Sequence, residues 1–144
     1  MKFINVLLFK GKGIISSLIR WQTGSIYSHA AVLLDDNTLV ESWQGDGVRK
    51  KKITNWDNVD TFKVRVSQRQ YNKIVEFLES QIGKKYDYWA IIRFISRSRF
   101  PENDKWFCSE LVYEAFKQVG INLLERIESY EVSPGLLARS PFLF

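Results

Sequence analysis

The sequence predicts an α+β protein, a small antiparallel sheet followed mostly by helices. Three observations carry this. Residues 28–66 alternate short apolar runs with turn-forming Asp, Asn and Gly, the pattern of strands joined by tight turns. Residues 68–81 and 108–119 instead place apolar side chains at helical spacing. A chain of 144 residues, 45% apolar and 15% aromatic, is large enough to bury one core, so a single domain over 1–144 is expected.

In chain order, Phe3 to Phe9 is apolar almost throughout and reads as a strand buried on both faces. After the turn Lys10–Gly13, Ile14 to Gln22 suits a short helix with Ile14, Ile15, Leu18 and Ile19 on one side. Ser28 to Leu34 and Leu39 to Trp43 are strands joined across Asp35–Thr38. A break at Gly45-Asp46-Gly47 precedes Val48 to Ile53, whose lysines suit an edge strand. Thr61 to Val66 alternates with period two, as a half-exposed strand does. Ser67 caps a helix over Gln68–Gln81, which Gly83 ends. Tyr86 to Ser96 fits a helix or a buried extended run, and Ile121 to Leu124 a short strand or turn. Ser133-Pro134 opens a last helical turn with serine at the cap and proline at the first position.

Composition narrows the function. One cysteine excludes an internal disulfide, and no stretch approaches the ~20 apolar residues of a membrane span. Residues 1–10 lead to no small-residue cleavage site, so a cytoplasmic protein is expected, or one exported without a classical signal. The charge of +5 gathers partly in Arg49-Lys50-Lys51-Lys52 and in Arg93, Arg97 and Arg99. Such patches are ordinarily solvated surface, and otherwise suit anionic lipid or polymer. There is no zinc-ligand spacing, phosphate loop or RNA-recognition signature, so no metal, cofactor or nucleic acid is expected.

The remaining chemistry lies in Cys108 and His29, each the only residue of its type. Leu111, Val112, Ala115, Phe116 and Val119 form the buried stripe of a helix that starts near Phe107 or Cys108. A sulfur there faces free N–H groups and the positive end of the helix dipole, which favours the nucleophilic thiolate. His29 opens a core strand, where an imidazole can serve as its base. Glu41, a carboxylate within an apolar strand, is a candidate to orient the ring. A turn pairing Leu34 with Leu39 sets Val32 opposite Glu41, which puts His29 and Glu41 on opposite faces unless a bulge or another loop intervenes. In that register Ser42 and Gln44 have the matching parity and stand as alternatives. Glu110, in the first turn of the helix, suits capping or the helix dipole.

Gly83-Lys84-Lys85-Tyr86-Asp87, followed by Trp106-Phe107-Cys108-Ser109-Glu110-Leu111-Val112, resembles the G-x-x-Y-d … f-C-S-e-L-v signature of the NlpC-type cysteine peptidases. Tyr27-Ser28-His29-Ala30-Ala31-Val32 and Leu39-Val40-Glu41-Ser42 are similar to that superfamily's histidine strand and its neighbour. Because His29 precedes Cys108, the order resembles the circularly permuted branch, with the YiiX/YebB-like proteins and the lecithin–retinol acyltransferase relatives. The resemblance implies a papain-like fold in permuted order, with the cysteine helix packed on an antiparallel sheet. It further implies Cys108 as nucleophile, His29 as base, Glu41 as the orienting residue and Tyr86 beside the oxyanion. The implied activity is amide hydrolysis in a peptide or peptidoglycan stem through an acyl-enzyme. The alternatives are an acyl-lipid or thioester substrate, or a non-catalytic module that binds anionic lipid or polymer. Trp89, Ile91, Ile92, Phe94 and Ile95, near the three arginines, read first as a core helix and second as a peripheral membrane contact.

Overall fold

The computed structural model describes residues 2–11, 17, 19–20, 25–87, 106–124 and 132–144. Most of the expected helix over 14–22 and the aromatic run after Asp87 lie outside these residues. Five strands form one antiparallel sheet: β1 (Lys2–Phe9), β2 (His29–Leu33), β3 (Thr38–Trp43), β4 (Gly47–Lys52) and β5 (Val59–Val66). Their order is β4-β3-β2-β1-β5, so the apolar first segment is central and the lysine-rich one is an edge. Ile4, Val6 and Leu8 point to one face of β1 and Leu7 to the other, all buried. Phe3 departs from the expected burial: it is 42% exposed at the strand's start, against Phe144 and beneath Lys63 and Arg65.

Helices α1 (Gln68–Gln81) and α2 (Cys108–Lys117) cover the face carrying Val6, Ala30, Val32, Val40 and Val64. α1 packs on β1 and β5, and α2 on β2 and β3. Ser67 caps α1 by a reciprocal box with Gln70, and Tyr71, Ile74 and Leu78 are its buried stripe. Ser133 caps the short α3 (Pro134–Leu137), with proline in its first turn. Ile121 to Leu124 forms no strand: Leu123 and Leu124 bend, and the Leu124 carbonyl accepts from the Tyr113 hydroxyl. None of the described helices is long and apolar enough to cross a membrane.

The other face is crossed by a strap. β4 and β5 are opposite edges, four strand spacings of ~4.8 Å apart, or about 19 Å. Only residues 53–58 join them, and an extended chain at ~3.4 Å per residue just covers that span. The strap is tied by Ile53 N–H to the Asn37 carbonyl and by Lys10 N–H to the Asn58 carbonyl. Ile53 closes a second, smaller core with Leu7, Ala31, Leu33 and Leu39.

Gly47 brings the segment before Tyr86 onto β4. Val48 N–H donates to the Lys84 carbonyl (2.8 Å) and Gly83 N–H to the Val48 carbonyl (2.9 Å). At Gly47 φ is +75°, and an added Cβ would lie 2.1 Å from the Lys84 carbonyl oxygen. Gly45, at φ +92°, has open space around it. Gly47→Ala is therefore expected to lower the unfolding free energy by at least about 2 kcal/mol, and Gly45→Ala by about 1 kcal/mol. Urea unfolding measures both, and equal losses would contradict the close approach to Lys84.

Candidate active site

Five hydrogen bonds fix the start of α2. The Trp106 carbonyl accepts from the Ser42 hydroxyl of β3 (2.6 Å) and from Asp87 N–H (3.1 Å). Trp106 N–H donates to the Lys85 carbonyl (2.9 Å), and its indole N–H to Gln81 of α1 (3.0 Å). On the other side, the Ser109 hydroxyl donates to the Val132 carbonyl (2.5 Å). Phe107 is the N-cap residue, and the first helical bond runs from Leu111 N–H to its carbonyl. The helix ladder therefore leaves the N–H groups of Cys108, Ser109 and Glu110 unused. Cys108, the first helical residue, is buried with a free thiol.

His29 is the first residue of β2. Ser28 N–H bonds to the Phe9 carbonyl (2.9 Å), Gly11 N–H to the Ser28 hydroxyl (3.1 Å), and the Tyr27 hydroxyl to Asp60 (2.5 Å). These contacts hold the strand's start, and with it the ring. The register corrects the expected pairing. Asp35–Asn37 forms a single 3₁₀ turn with Asp36 and Asn37 at positive φ, and it pairs Leu33, not Leu34, with Leu39. That shift of one residue places His29 and Glu41 on the same face. His29 Nε2–H then donates to Glu41 Oε1 at 2.7 Å. The alternatives lose their parity. Ser42 turns to the helix face and bonds Trp106, while Gln44 lines the cavity beside His29.

Glu41 has a second partner. Register sets Arg49 of β4 opposite it, and Arg49 Nε and Nη2 reach Glu41 Oε2 at 2.9 and 2.8 Å. Arg49 Nη1 reaches Asp46 (2.5 Å), and its guanidinium lies 4.9 Å from the Trp43 ring centre. Trp43 in turn meets His29 edge-on at 5.0 Å, and Phe9 lies 5.1 Å from the imidazole on another side. From sequence Arg49 reads only as part of a basic patch and Trp43 only as the end of a strand. The readable signal is the Gly45-Asp46-Gly47 turn, because a hairpin closed there pairs Glu41 with Arg49.

Charge explains the protonation of this group. Burial by itself pulls the His29 pKa down. Against that stand first the charge and hydrogen bond of Cys108, then the hydrogen bond and charge of Glu41, and together they raise it to about 9. With Nε2 held by Glu41, the ring nitrogen left for the sulfur is Nδ1. Burial also works to raise the Glu41 pKa, but the bonds and charges of His29 and Arg49 prevail and lower it. Asp–Arg–Glu–His is thus a continuous line of alternating charge that ends at the thiol.

A cavity of about 200 Å³ opens beside the imidazole, lined by Tyr86, Trp43, Gln44, Ser28, Ile19 and Phe9 among others. Tyr86 is buried, pairs with Trp106 in a parallel bridge and lies 5.8 Å from the Phe107 ring. Glu110 is buried in the first turn of α2. The structure therefore brings Cys108, His29 and Glu41 into one connected group, with Tyr86 on the wall of the adjoining cavity.

A histidine whose pKa rises on folding, here from 6.5 to about 9, contributes stability that is complete below 6.5 and lost as pH climbs through 9. The stability difference between the parent and His29→Gln should therefore shrink, by on the order of 2 kcal/mol, between pH 6.5 and 9.5. Urea midpoints across that range measure it, and a difference that grows with pH would contradict the charged pair.

Residues 6–132 match the family described as permuted papain-like amidase enzyme, YaeF/YiiX, C92 family. The fold is similar to that of the metalloprotein yiiX from Escherichia coli O157:H7, with a TM-score of 0.72 at 19% identity over 97% of this chain and 93% of that one. Among curated proteins no sequence matches. With the match running from the first strand past the cysteine helix, the chain belongs to the permuted papain-like amidase family.

Proposed function

We propose that the protein is a thiol hydrolase of amide bonds, acting on a peptide or a peptidoglycan stem. The observation that carries this reading is the sole imidazole, buried and bonded to Glu41, with its pKa raised most by the Cys108 sulfur at a helix start. Cys108 Sγ attacks the carbonyl carbon and the C=O electron pair moves to oxygen. The Cys108 N–H at the helix start stabilises that oxyanion, with the Tyr86 hydroxyl as a second donor. On collapse the C–N bond breaks and His29 gives its Nδ1 proton to the leaving amine. This leaves a thioester. His29 then takes a proton from water as the water oxygen attacks, and the acid departs from a regenerated sulfur. Glu41 and Arg49 act through the ring, which they hold in one orientation.

The metal that names the yiiX structure does not fit this site. Both Glu41 oxygens are engaged, one by His29 and the other by Arg49. Among the described residues no group of three His, Cys, Asp or Glu side chains could hold a metal ion. No step above needs one.

Hydrolysis of a panel of N-acyl peptide amides and peptidoglycan stem peptides tests the reading. Cys108→Ala should abolish turnover, and His29→Ala should lower kcat/KM by at least ~10³-fold. Glu41→Gln should lower it by ~10²-fold. Full turnover in both the Cys108 and the His29 variants would end the proposal. Arg49 adds a finer test: Arg49→Ala should lower kcat by ~10-fold with KM little changed, because the ring's partner Glu41 loses its support, and Arg49→Lys should partly restore it. An unchanged kcat in Arg49→Ala would remove the guanidinium's role.

A further inference from the structure

Three strands set a row of rings across the sheet at the reacting end. Register places Phe9 of β1 opposite His29 of β2, and Trp43 of β3 lies edge-on to the same imidazole at 5.0 Å. All three line the cavity of about 200 Å³, to which Ile19 and Tyr86 add apolar surface. Its polar groups are few. The Ser28 hydroxyl is engaged within the fold, accepting from Gly11 N–H and donating to the Phe9 carbonyl. Among the described residues no Asp, Glu, Lys or Arg lines the cavity, and the charge of His29 is balanced by Glu41 and Cys108. Gln44 is half-buried on the wall, and among the described residues its carboxamide has no hydrogen-bond partner. A carboxylate or ammonium placed there would lose water with no free opposite charge to replace it, whereas an apolar group gains by leaving water.

We infer that this cavity is a substrate subsite for a large, uncharged apolar side chain on the residue adjoining the scissile amide, and that Gln44, an uncharged wall residue, sets its preference. His29 is itself part of the wall, so a side chain filling the cavity touches the ring that serves the sulfur. It therefore belongs to a residue at the reacting bond. Size sets the kind of side chain. An apolar cavity of ~150 Å³ holds benzene, so one of about 200 Å³ takes the extra carbon of a phenylalanine side chain. This rests on the thiol-hydrolase reading and chooses between its two substrates. The residues of a peptidoglycan stem are alanine or carry a charge, so the subsite favours an apolar peptide.

The test uses four epoxysuccinyl diamides, each with alanine on one carbonyl and phenylalanine, alanine, glutamate or lysine on the other. The trans-epoxide core is two-fold symmetric, so the variable residue can occupy either side of the sulfur. In the labelling step Cys108 Sγ forms a C–S bond as the ring C–O bond breaks, and the alkoxide takes a proton from His29. Intact-mass spectrometry gives the second-order rate for each probe. The phenylalanine probe should label the parent at least ~10-fold faster than each of the other three. Gln44→Glu puts a carboxylate on the wall, and the lysine-to-phenylalanine rate ratio should then rise at least ~10-fold. Taking a ratio cancels any change in the sulfur's own reactivity. Gln68→Glu adds the same charge at the start of α1 and should leave the ratio within ~2-fold of the parent's. Equal labelling of the parent by all four probes, or any probe faster than phenylalanine, would overturn the subsite. So would a ratio that Gln44→Glu leaves unmoved, or one that Gln68→Glu moves as far. If no probe labels Cys108, the thiol-hydrolase reading itself falls, and the subsite with it.

Discussion

The structure depends on one buried charge arrangement: the Glu41 carboxylate between the His29 imidazole and the Arg49 guanidinium. Taking a carboxylate out of water costs several kcal/mol, and only partners on its oxygens offset that. Both Glu41 oxygens have one, from the strand on either side of β3. Removing either partner leaves one buried Glu41 oxygen without it, on a face that Leu39 and Ala31 make apolar. The same arrangement sets which imidazole nitrogen meets Cys108.

The fold is arranged around that meeting point. His29 begins β2 and Cys108 begins α2, so both reactive side chains sit at element termini. The strands they belong to or pack on are paired only at Val32↔Val40 and Leu33↔Leu39 between β2 and β3. Beyond those pairs the ladder ends, and the side chains of His29, Trp43 and Gln44 border a cavity. Ser42, facing the other way, holds the Trp106 carbonyl and therefore the residue two before the sulfur. One strand, β3, thus carries the ring's partner on one face and the helix's anchor on the other.

Much of this was legible in the sequence, for physical reasons that can be named. The Ser67 cap, the 68–81 stripe and the apolar β1 are local signals, and local patterns survive into the fold. The helix start at Cys108 was legible for the same reason, and the resemblance to permuted papain-like proteins agrees with the family shown by residues 6–132. The Asp35–Thr38 loop was not legible, because its register depends on Asp36 and Asn37 adopting positive φ. One residue of slip there reversed the faces of Glu41 and Ser42. Arg49 was hidden for a different reason: within a run of lysines it reads as surface, and only the Trp43↔Gly47 pairing sets it against Glu41.

The most direct measurement uses the fact that this chain has one histidine. Ring ¹⁵N shifts in uniformly labelled protein then report His29 alone. The account predicts both ring nitrogens protonated from pH 6 to about 9, with a midpoint that falls in Cys108→Ala. A parent ring that is neutral at pH 7, or one indifferent to loss of the sulfur, would contradict it.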